Sequence, residues 1–276
     1  MDIKQLLIIA VKAAVTGGKA IMEVYTSDDF ETEIKSDNTP LTRADKLAHQ
    51  AIMEHLEETG IPVLSEEGRD IPYSERSKWD TLWVVDPLDG TKEFIKQNGE
   101  FTVNIALVEK GRPVAGVIYV PAKRDLYFGG ESVGSYKIER VGSNSEIPDF
   151  DTLAGASSKL PREEPEGFMV VASRSHLSQE TQDYIDKLRE SHPDLEMVSA
   201  GSALKLCLVA EGVAQVYPRF APTMEWDTAA GHAIALGAGA SVVKTDEQTP
   251  LTYNKENLLN PHFIVKRETS SENSVL

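Results

Sequence analysis

The segment FTVNIALVEKGRPVAGVIYVPAKRDLYFGG, residues 101 to 130, most narrows the folds that this chain can adopt. Its apolar runs are separated by the turn-forming pairs KG, PA and GG, a pattern that predicts three antiparallel strands in a meander. Upstream, apolar residues at helical spacing predict helices over residues 2 to 25 and 44 to 58, the second capped by Thr42. The N-terminal part is therefore predicted to be α+β.

A polar segment rich in Pro, Ser and Gly, residues 142 to 167, separates this part from a region of different pattern. Beyond it, strand-like runs (FMVVAS, LEMVSA, AQVYP, HFIVKR) alternate with helical ones (LSQETQDYIDKLRES, LKLCLVAEG, WDTAAGHAIALGAG). Such alternation predicts an α/β C-terminal part. We therefore expect two domains, residues 1–150 and 151–276.

The charge balance limits the partners of the protein. The chain has 28 Lys and Arg against 44 Asp and Glu, a net charge of −16, which argues against a nucleic-acid polymer or an anionic membrane as the main partner. A small anionic ligand is compatible if metal ions or local basic residues offset the field. The single cysteine, Cys207, lies in an apolar run and excludes an intrachain disulfide, which is typical of a reducing compartment. With no apolar run of membrane-spanning length, a cytoplasmic location is expected.

Acidic residues follow two strand patterns, and a third acidic position stands at a predicted helix start. Asp86 and Asp89 end the run LWVVDPLDGT, and Glu66 ends the run IPVLSEE. Asp227, in MEWDTAAGHA, also fits a simple helix N-cap, and Glu66 fits a solvated turn. Two aspartate charges about 4 Å apart repel by roughly 4 kcal/mol at an effective dielectric constant near 20. Asp86 and Asp89 therefore need a positive charge between them.

Hard carboxylate and carbonyl oxygens are the ligands that Mg²⁺ prefers, and the chain shows no His/Cys spacing for zinc and no EF-hand. Gly90 and Thr91 could open a helix whose N–H groups accept a phosphate oxygen. The segment GSALK, Gly201 to Lys205, could bind an anion too, although a plain helix start explains it almost as well. SRSH, residues 173 to 176, closes a strand in the same way.

The combination of SEE, DPLDGTKEF and WDTAAGHA resembles the inositol monophosphatase superfamily of Mg²⁺-dependent, lithium-sensitive phosphatases, over nearly the whole chain. Within it, DPLDGTKEFIKQNGEFTVNIALVE and LCLVAEGVAQVYPRFAPTMEWDTAAGHA are more similar to bacterial 3'(2'),5'-bisphosphate nucleotidases than to inositol phosphatases, which usually carry Asn at the position of Glu93. The resemblance implies a layered αβαβα sandwich and two or three Mg²⁺ ions. One departure from the bacterial pattern is Ala203, where a second Ser is expected.

Residue roles follow from this resemblance position by position. The implied metal ligands are Glu66, Asp86, the Leu88 carbonyl, Asp89 and Asp227, with Asp86 bridging two ions. Thr91 and Asp45 match the pair that activates the attacking water, with Glu66 assisting. The implied substrate contacts are Glu66, Leu88, Asp89, Gly90, Thr91, Ser173, His176, Gly201, Lys205 and Asp227.

The implied reaction is hydrolysis of adenosine 3',5'-bisphosphate to AMP and phosphate in sulfate assimilation, with 3'-phosphoadenylyl sulfate as a further substrate. An inositol or other sugar phosphatase is the alternative within the superfamily, and a non-catalytic metal or nucleotide sensor is the alternative outside it. Joint presence of Thr91 and Asp45 favours an enzyme, since metal binding alone needs neither. The resemblance to bacterial relatives also suggests peripheral association with the inner membrane. The sequence does not indicate an oligomeric state.

Overall fold

A computed structural model describes residues 1–27, 33–34, 40–162, 167–173 and 178–267. The helices within these residues are α1 Ile3–Tyr25, α2 Arg43–Leu56, α3 Tyr73–Arg76, α4 Thr91–Ile95, α5 Phe150–Gly155, α6 Gln179–Ser191, α7 Leu204–Glu211 and α8 Glu225–Gly237. The strands are β1 Glu33–Ile34, β2 Pro40–Leu41, β3 Val63–Ser65, β4 Thr81–Asp89, β5 Thr102–Glu109, β6 Arg112–Val120, β7 Asp125–Gly130, β8 Gly134–Ile138, β9 Ser158–Lys159, β10 Met169–Ser173, β11 Glu196–Ala200, β12 Val216–Arg219, β13 Ala240–Lys244 and β14 Phe263–Arg267.

Two larger sheets and three layers of helices make up the fold. A seven-stranded sheet has the order β3-β4-β5-β6-β7-β8-β9, and a five-stranded sheet has the order β11-β10-β12-β14-β13. The strands from β4 to β9 pair antiparallel with their neighbours, and β3 joins β4 in parallel. The predicted meander is confirmed in β5, β6 and β7, and the two N-terminal helices lie within two residues of their predicted bounds.

Side-chain alternation along the strands assigns each helix to a layer. On β4, Trp83 and Val85 face an outer apolar cluster with α1 and α2, whereas Leu82 and Val84 face an inner cluster with α7 and α8. The inner cluster continues into the five-stranded sheet, and α6 covers the far face of that sheet through Ile185. The resulting order is α-β-α-β-α, which confirms the predicted sandwich.

Helix α8 lies directly on the seven-stranded sheet because glycine occupies the point of contact. A Cβ atom added to Gly116 on β6 would lie 2.2 Å from the Ala230 carbonyl oxygen of α8. Any larger residue at position 116 would push the helix away from the sheet. This contact sets the depth at which the first turn of α8 reaches the end of β4.

The polar segment at 142–167 is not a simple linker without secondary structure. It contains α5 and β9, and Ser158 of β9 pairs with Lys137 of β8, so the seven-stranded sheet continues past residue 150. The division into domains 1–150 and 151–276 stays a prediction. Strand β13 was not predicted, because its five residues follow a Gly- and Ala-rich stretch that carries little strand signal.

Candidate active site

The acidic end of β4 faces the helices of the inner layer. Asp86 continues the inward alternation of Leu82 and Val84 and is 1% exposed. The strand runs on to Asp89 with a register shift between the two aspartates, and Asp89 pairs with Thr102 of β5. The Leu88 N–H donates to Asp86 Oδ1 at 3.0 Å, which fixes the turn between them. The irregular strand end thus brings both carboxylates to one side.

Asp227 reaches the same place from the first turn of α8. It is the third residue of the helix, and its Oδ2 accepts a hydrogen bond from the Met224 N–H at 2.8 Å. The expectation that Asp227 itself occupies the N-cap is therefore wrong, because Met224 holds that position. Oxygen atoms of Asp86, Asp89 and Asp227 all lie within 4.8 Å of one another.

The electrostatics of this cluster favour a bound cation. The pKa of Asp86 is raised well above its usual value by burial and then by the charges of Glu66, Asp89 and Asp227. Burial and Asp89 raise the pKa of Asp227 to about 8. Burial raises the pKa of Asp89 to about 6, although Lys205 opposes the rise. Three buried or half-buried carboxyl groups that retain protons this strongly form a hard oxygen donor set that fits a divalent cation.

Two further predicted ligands lie beside the cluster. The Glu66 N–H donates to the Val85 carbonyl at 3.1 Å, and the Glu66 charge raises the pKa of all three aspartates. The Leu88 carbonyl lies within the turn between Asp86 and Asp89 and is 3.5 Å from Thr91 Oγ1. The structure therefore places both residues beside the acidic cluster, and their role as metal ligands stays a prediction.

Thr91 and Asp45 form a hydrogen-bonded pair at the edge of the cluster. Thr91 Oγ1 donates to Asp45 Oδ1 at 3.4 Å, and Asp45 is 2% exposed. The other carboxylate oxygen of Asp45 accepts the Thr42 N–H at 2.8 Å and the Thr42 hydroxyl at 2.6 Å. The capping box of α2 thus holds Asp45, and Asp45 orients the Thr91 hydroxyl.

Gly90 occupies a backbone position that suits glycine. It is the N-cap of α4 with φ of 93°, in the left-handed region, and a Cβ there would approach the Glu100 carbonyl oxygen to 3.3 Å. The helix begins at Thr91 as predicted, so its first N–H groups point out of the turn that follows Asp89.

A cleft of about 290 Å³ extends from Asp89 and Asp227 to the start of α7. Lys205 lines it and is 6% exposed, with Nζ donating to the Ser202 carbonyl at 2.7 Å. Burial lowers the pKa of Lys205 to about 8, while Asp89 opposes this change. Gly201 also lines the cleft, but packing accounts for it, since a Cβ there would lie 2.8 Å from the Glu100 carbonyl oxygen.

Arg219 is a cleft residue that the sequence did not identify. It ends β12, lines the same cavity as Lys205, and donates from Nη2 to the Pro222 carbonyl at 3.1 Å. Its Nε is buried and has no hydrogen-bond partner among the described residues. The sequence showed only a cation directly after the run AQVYP, whose predicted strand ended at Pro218.

Two predicted substrate contacts, Ser173 and His176, lie at the end of β10 and just after it in the sequence. Ser173 is the last residue of β10, but its side chain lies outside the described residues, as does all of His176. Ala203, the position where Ser was expected, is the N-cap of α7, and its backbone N–H acts to lower the pKa of Asp89. The backbone group that meets Asp89 is thus available with either side chain.

The family model described as the inositol monophosphatase family matches residues 2–273, and the chain belongs to this family. The inositol monophosphatase family is metal-dependent, in keeping with the acidic cluster of this chain. Among the described residues, no helix has the length and apolar composition needed to cross a bilayer.

Curated relatives and a solved structure are similar over almost the whole chain. The chain is 48% identical to the 3'(2'),5'-bisphosphate nucleotidase CysQ of Salmonella typhimurium, over 90% of this chain and 94% of the relative. It is 46% identical to the enzyme of the same name from Escherichia coli K12, with the same coverage. The crystal structure of CysQ from Bacteroides thetaiotaomicron superimposes with a TM-score of 0.89 at 52% identity, covering 97% of this chain and 99% of that one.

Proposed function

We propose that this protein is a Mg²⁺-dependent phosphatase that removes the 3'-phosphate of adenosine 3',5'-bisphosphate and releases AMP and phosphate. One observation carries the proposal: a single cleft joins the Asp86, Asp89 and Asp227 cluster to the cationic side chains of Lys205 and Arg219. Carboxylates with divalent ions would receive one phosphate, and the two cations would receive a second. The names of the similar curated enzymes support the same substrate.

The metal ligands in this proposal are Glu66, Asp86, the Leu88 carbonyl, Asp89 and Asp227, and they would hold two or three ions. Mg²⁺ bound there supplies positive charge that polarises the phosphoryl group and stabilises the leaving alkoxide. The protein keeps the donor oxygens in place: Asn104 Nδ2 donates to Asp89 Oδ2 at 3.3 Å, and Met224 does the same for Asp227. In both aspartates this hydrogen bond is accepted by Oδ2, which leaves Oδ1 to bind an ion.

Thr91 and Asp45 position the attacking water. Because the Thr91 hydroxyl donates its hydrogen to Asp45, its lone pairs are free to accept a hydrogen bond from water. Asp45 is buried and already accepts two hydrogen bonds from Thr42, so its orientation is fixed before substrate enters. Water held in this way presents its own lone pair to phosphorus for in-line displacement. A sensor that only bound metal or nucleotide would not require this pair.

Substrate choice would depend on the far end of the cleft. Lys205 and Arg219 would bind the 5'-phosphate, and this binding energy would lower the barrier for loss of the 3'-phosphate. Arg219 lines the same cleft as Lys205, so its guanidinium group and the Lys205 amine can share such an anion. Activity on the sulfated nucleotide, a role in sulfate assimilation, inhibition by lithium and a cytoplasmic location belong to the same proposal.

A phosphate-release panel tests the proposal, with adenosine 3',5'-bisphosphate, its sulfated form, inositol 1-phosphate and fructose bisphosphate as substrates. We expect the highest kcat/KM on adenosine 3',5'-bisphosphate and loss of activity in EDTA. Preference for inositol phosphate would assign the protein to the sugar-phosphatase alternative. Metal binding without any phosphate release would identify a sensor.

A further inference from the structure

Two buried charged side chains outside the cleft have no role in the mechanism above. Glu225 is 0% exposed and Arg76 is 4% exposed. They lie on different parts of the chain, in the first turn of α8 and at the end of α3, yet both contact residues 254–256. Burying an isolated charge is costly, and both side chains offset this cost by hydrogen-bonding the same segment.

Arg76 binds the segment from one side with its whole guanidinium group. Nη1 donates to the Lys255 carbonyl at 2.7 Å and to Asn254 Oδ1 at 3.1 Å, and Nη2 donates to the Glu256 carbonyl at 2.9 Å. Nε donates to the Ile71 carbonyl at 3.1 Å, which ties the segment to the loop after β3. The planar geometry of arginine serves all four acceptors together, which a lysine cannot do.

Glu225 binds the same segment from the other side. Its carboxylate accepts the backbone N–H of Asn254 at 2.5 Å and of Lys255 at 3.0 Å, together with Lys255 Nζ at 2.5 Å. Asn254 has φ of 60°, and this left-handed conformation turns two successive N–H groups towards one anion. The backbone of 254–256 is thus held between a cation and an anion.

This arrangement connects the loop that follows Glu66 to the helix that carries Asp227. Glu225 lies two residues before Asp227, and its N–H donates to the Leu258 carbonyl at 3.0 Å. Since α8 begins at Glu225, the hydrogen bonds that hold its carboxylate also restrain the first turn, which carries Asp227. We propose that Arg76 and Glu225 are positioning residues that set the distance of Asp227 from Glu66 and Asp86 through residues 254–256. This inference rests on the proposed metal site.

Isothermal titration of the full-length, metal-free protein with Mg²⁺ alone tests the inference. The variants are Glu225→Gln, which places an amide NH₂ against donors, and Arg76→Lys, which keeps the charge but loses the planar group. Glu256→Gln is the matched control, because it removes an exposed charge from the same segment and leaves the backbone carbonyl that Arg76 binds. Losing partners around a metal ligand typically weakens binding about 10- to 100-fold.

We expect Glu225→Gln and Arg76→Lys to raise the Kd for Mg²⁺ at least about tenfold, with Glu256→Gln within about twofold of wild type. Near-ultraviolet circular dichroism identifies the folded variants. If Glu225→Gln does not fold, the Mg²⁺ affinity of Arg76→Lys decides the test. Folded variants that melt earlier but bind Mg²⁺ as tightly as wild type would show a purely structural role and overturn the inference. Wild-type protein that binds no Mg²⁺ would instead reject the proposed function.

Discussion

Replacing Asp86 by Asn should stabilise the metal-free protein while removing its activity. Oxygen atoms of Asp86, Asp89 and Asp227 lie within 4.8 Å of one another. Two unit charges at that distance repel by about 3.5 kcal/mol at an effective dielectric constant of 20. Protonation of Asp86, whose pKa is raised, relieves part of this repulsion, and solvent partly screens the half-buried Asp89 and Asp227. We therefore expect a net gain of about 2 kcal/mol. Asn keeps an oxygen to accept the Leu88 N–H, so the turn is retained.

The assay is thermal unfolding in EDTA and in saturating Mg²⁺ at pH 8.5, where Asp227, with a pKa of about 8, is largely charged in the absence of metal. A gain of 2 kcal/mol corresponds to a rise in Tm of about 4 to 8 °C for a chain of this size. In Mg²⁺ the order should reverse, because wild type gains about 2.7 kcal/mol at 100 times Kd and the variant gains little.

Asp80→Asn is the control, because Asp80 is exposed and directly precedes the same strand. It should leave both melting temperatures within about 2 °C of wild type, since surface substitutions usually change stability by less than about 0.5 kcal/mol. If Asp86→Asn melts below wild type in EDTA and gains as much from Mg²⁺, repulsion relieved by metal is not what governs this cluster.

Further predictions concern the same site. Thr91→Ala should lower kcat about 10²- to 10⁴-fold with little change in the Mg²⁺ concentration for half-maximal rate, and Thr91→Ser should retain much of the rate. Asp45→Asn should match Thr91→Ala, and additive losses in the double variant would contradict a shared role. Arg219→Ala should raise KM for adenosine 3',5'-bisphosphate far more than for a small aryl phosphate, and equal losses on both would exclude a role in nucleotide binding. Because the folded pKa of Asp227 is raised to about 8, metal-free stability in urea should fall as pH rises from about 4 to 8 and level off above, whereas constant stability would contradict the raised pKa.

Much of the fold could be predicted because local pattern decides it. The runs of β4 to β7 are apolar enough to be buried, and the KG and PA pairs mark turns between them, whereas the GG pair ends β7 itself. The acidic end of β4 was recognisable for the same reason: two charges directly after a buried strand conflict with local rules, and such conflicts usually mark function.

The remaining features depend on contacts between distant parts of the chain. Arg76 meets Lys255 across 179 positions, and no local pattern marks either residue as part of one element. Strand β9 is two residues long and forms only because β8 presents an open edge. The strand predicted from the sequence ended at Pro218, one residue before Arg219. Strand β12 tolerates Pro218, which has no N–H, because its pairing to β10 is confined to Val216.

The identity of the product tests the central claim most directly. Adenosine 3',5'-bisphosphate incubated with the protein and Mg²⁺ should give 5'-AMP and one equivalent of phosphate by chromatography and ³¹P NMR, with no turnover in EDTA. This outcome is expected if, as proposed, the acidic cluster receives the 3'-phosphate while Lys205 and Arg219 retain the 5'-phosphate. Formation of 3'-AMP, or hydrolysis that continues in EDTA, would contradict the account.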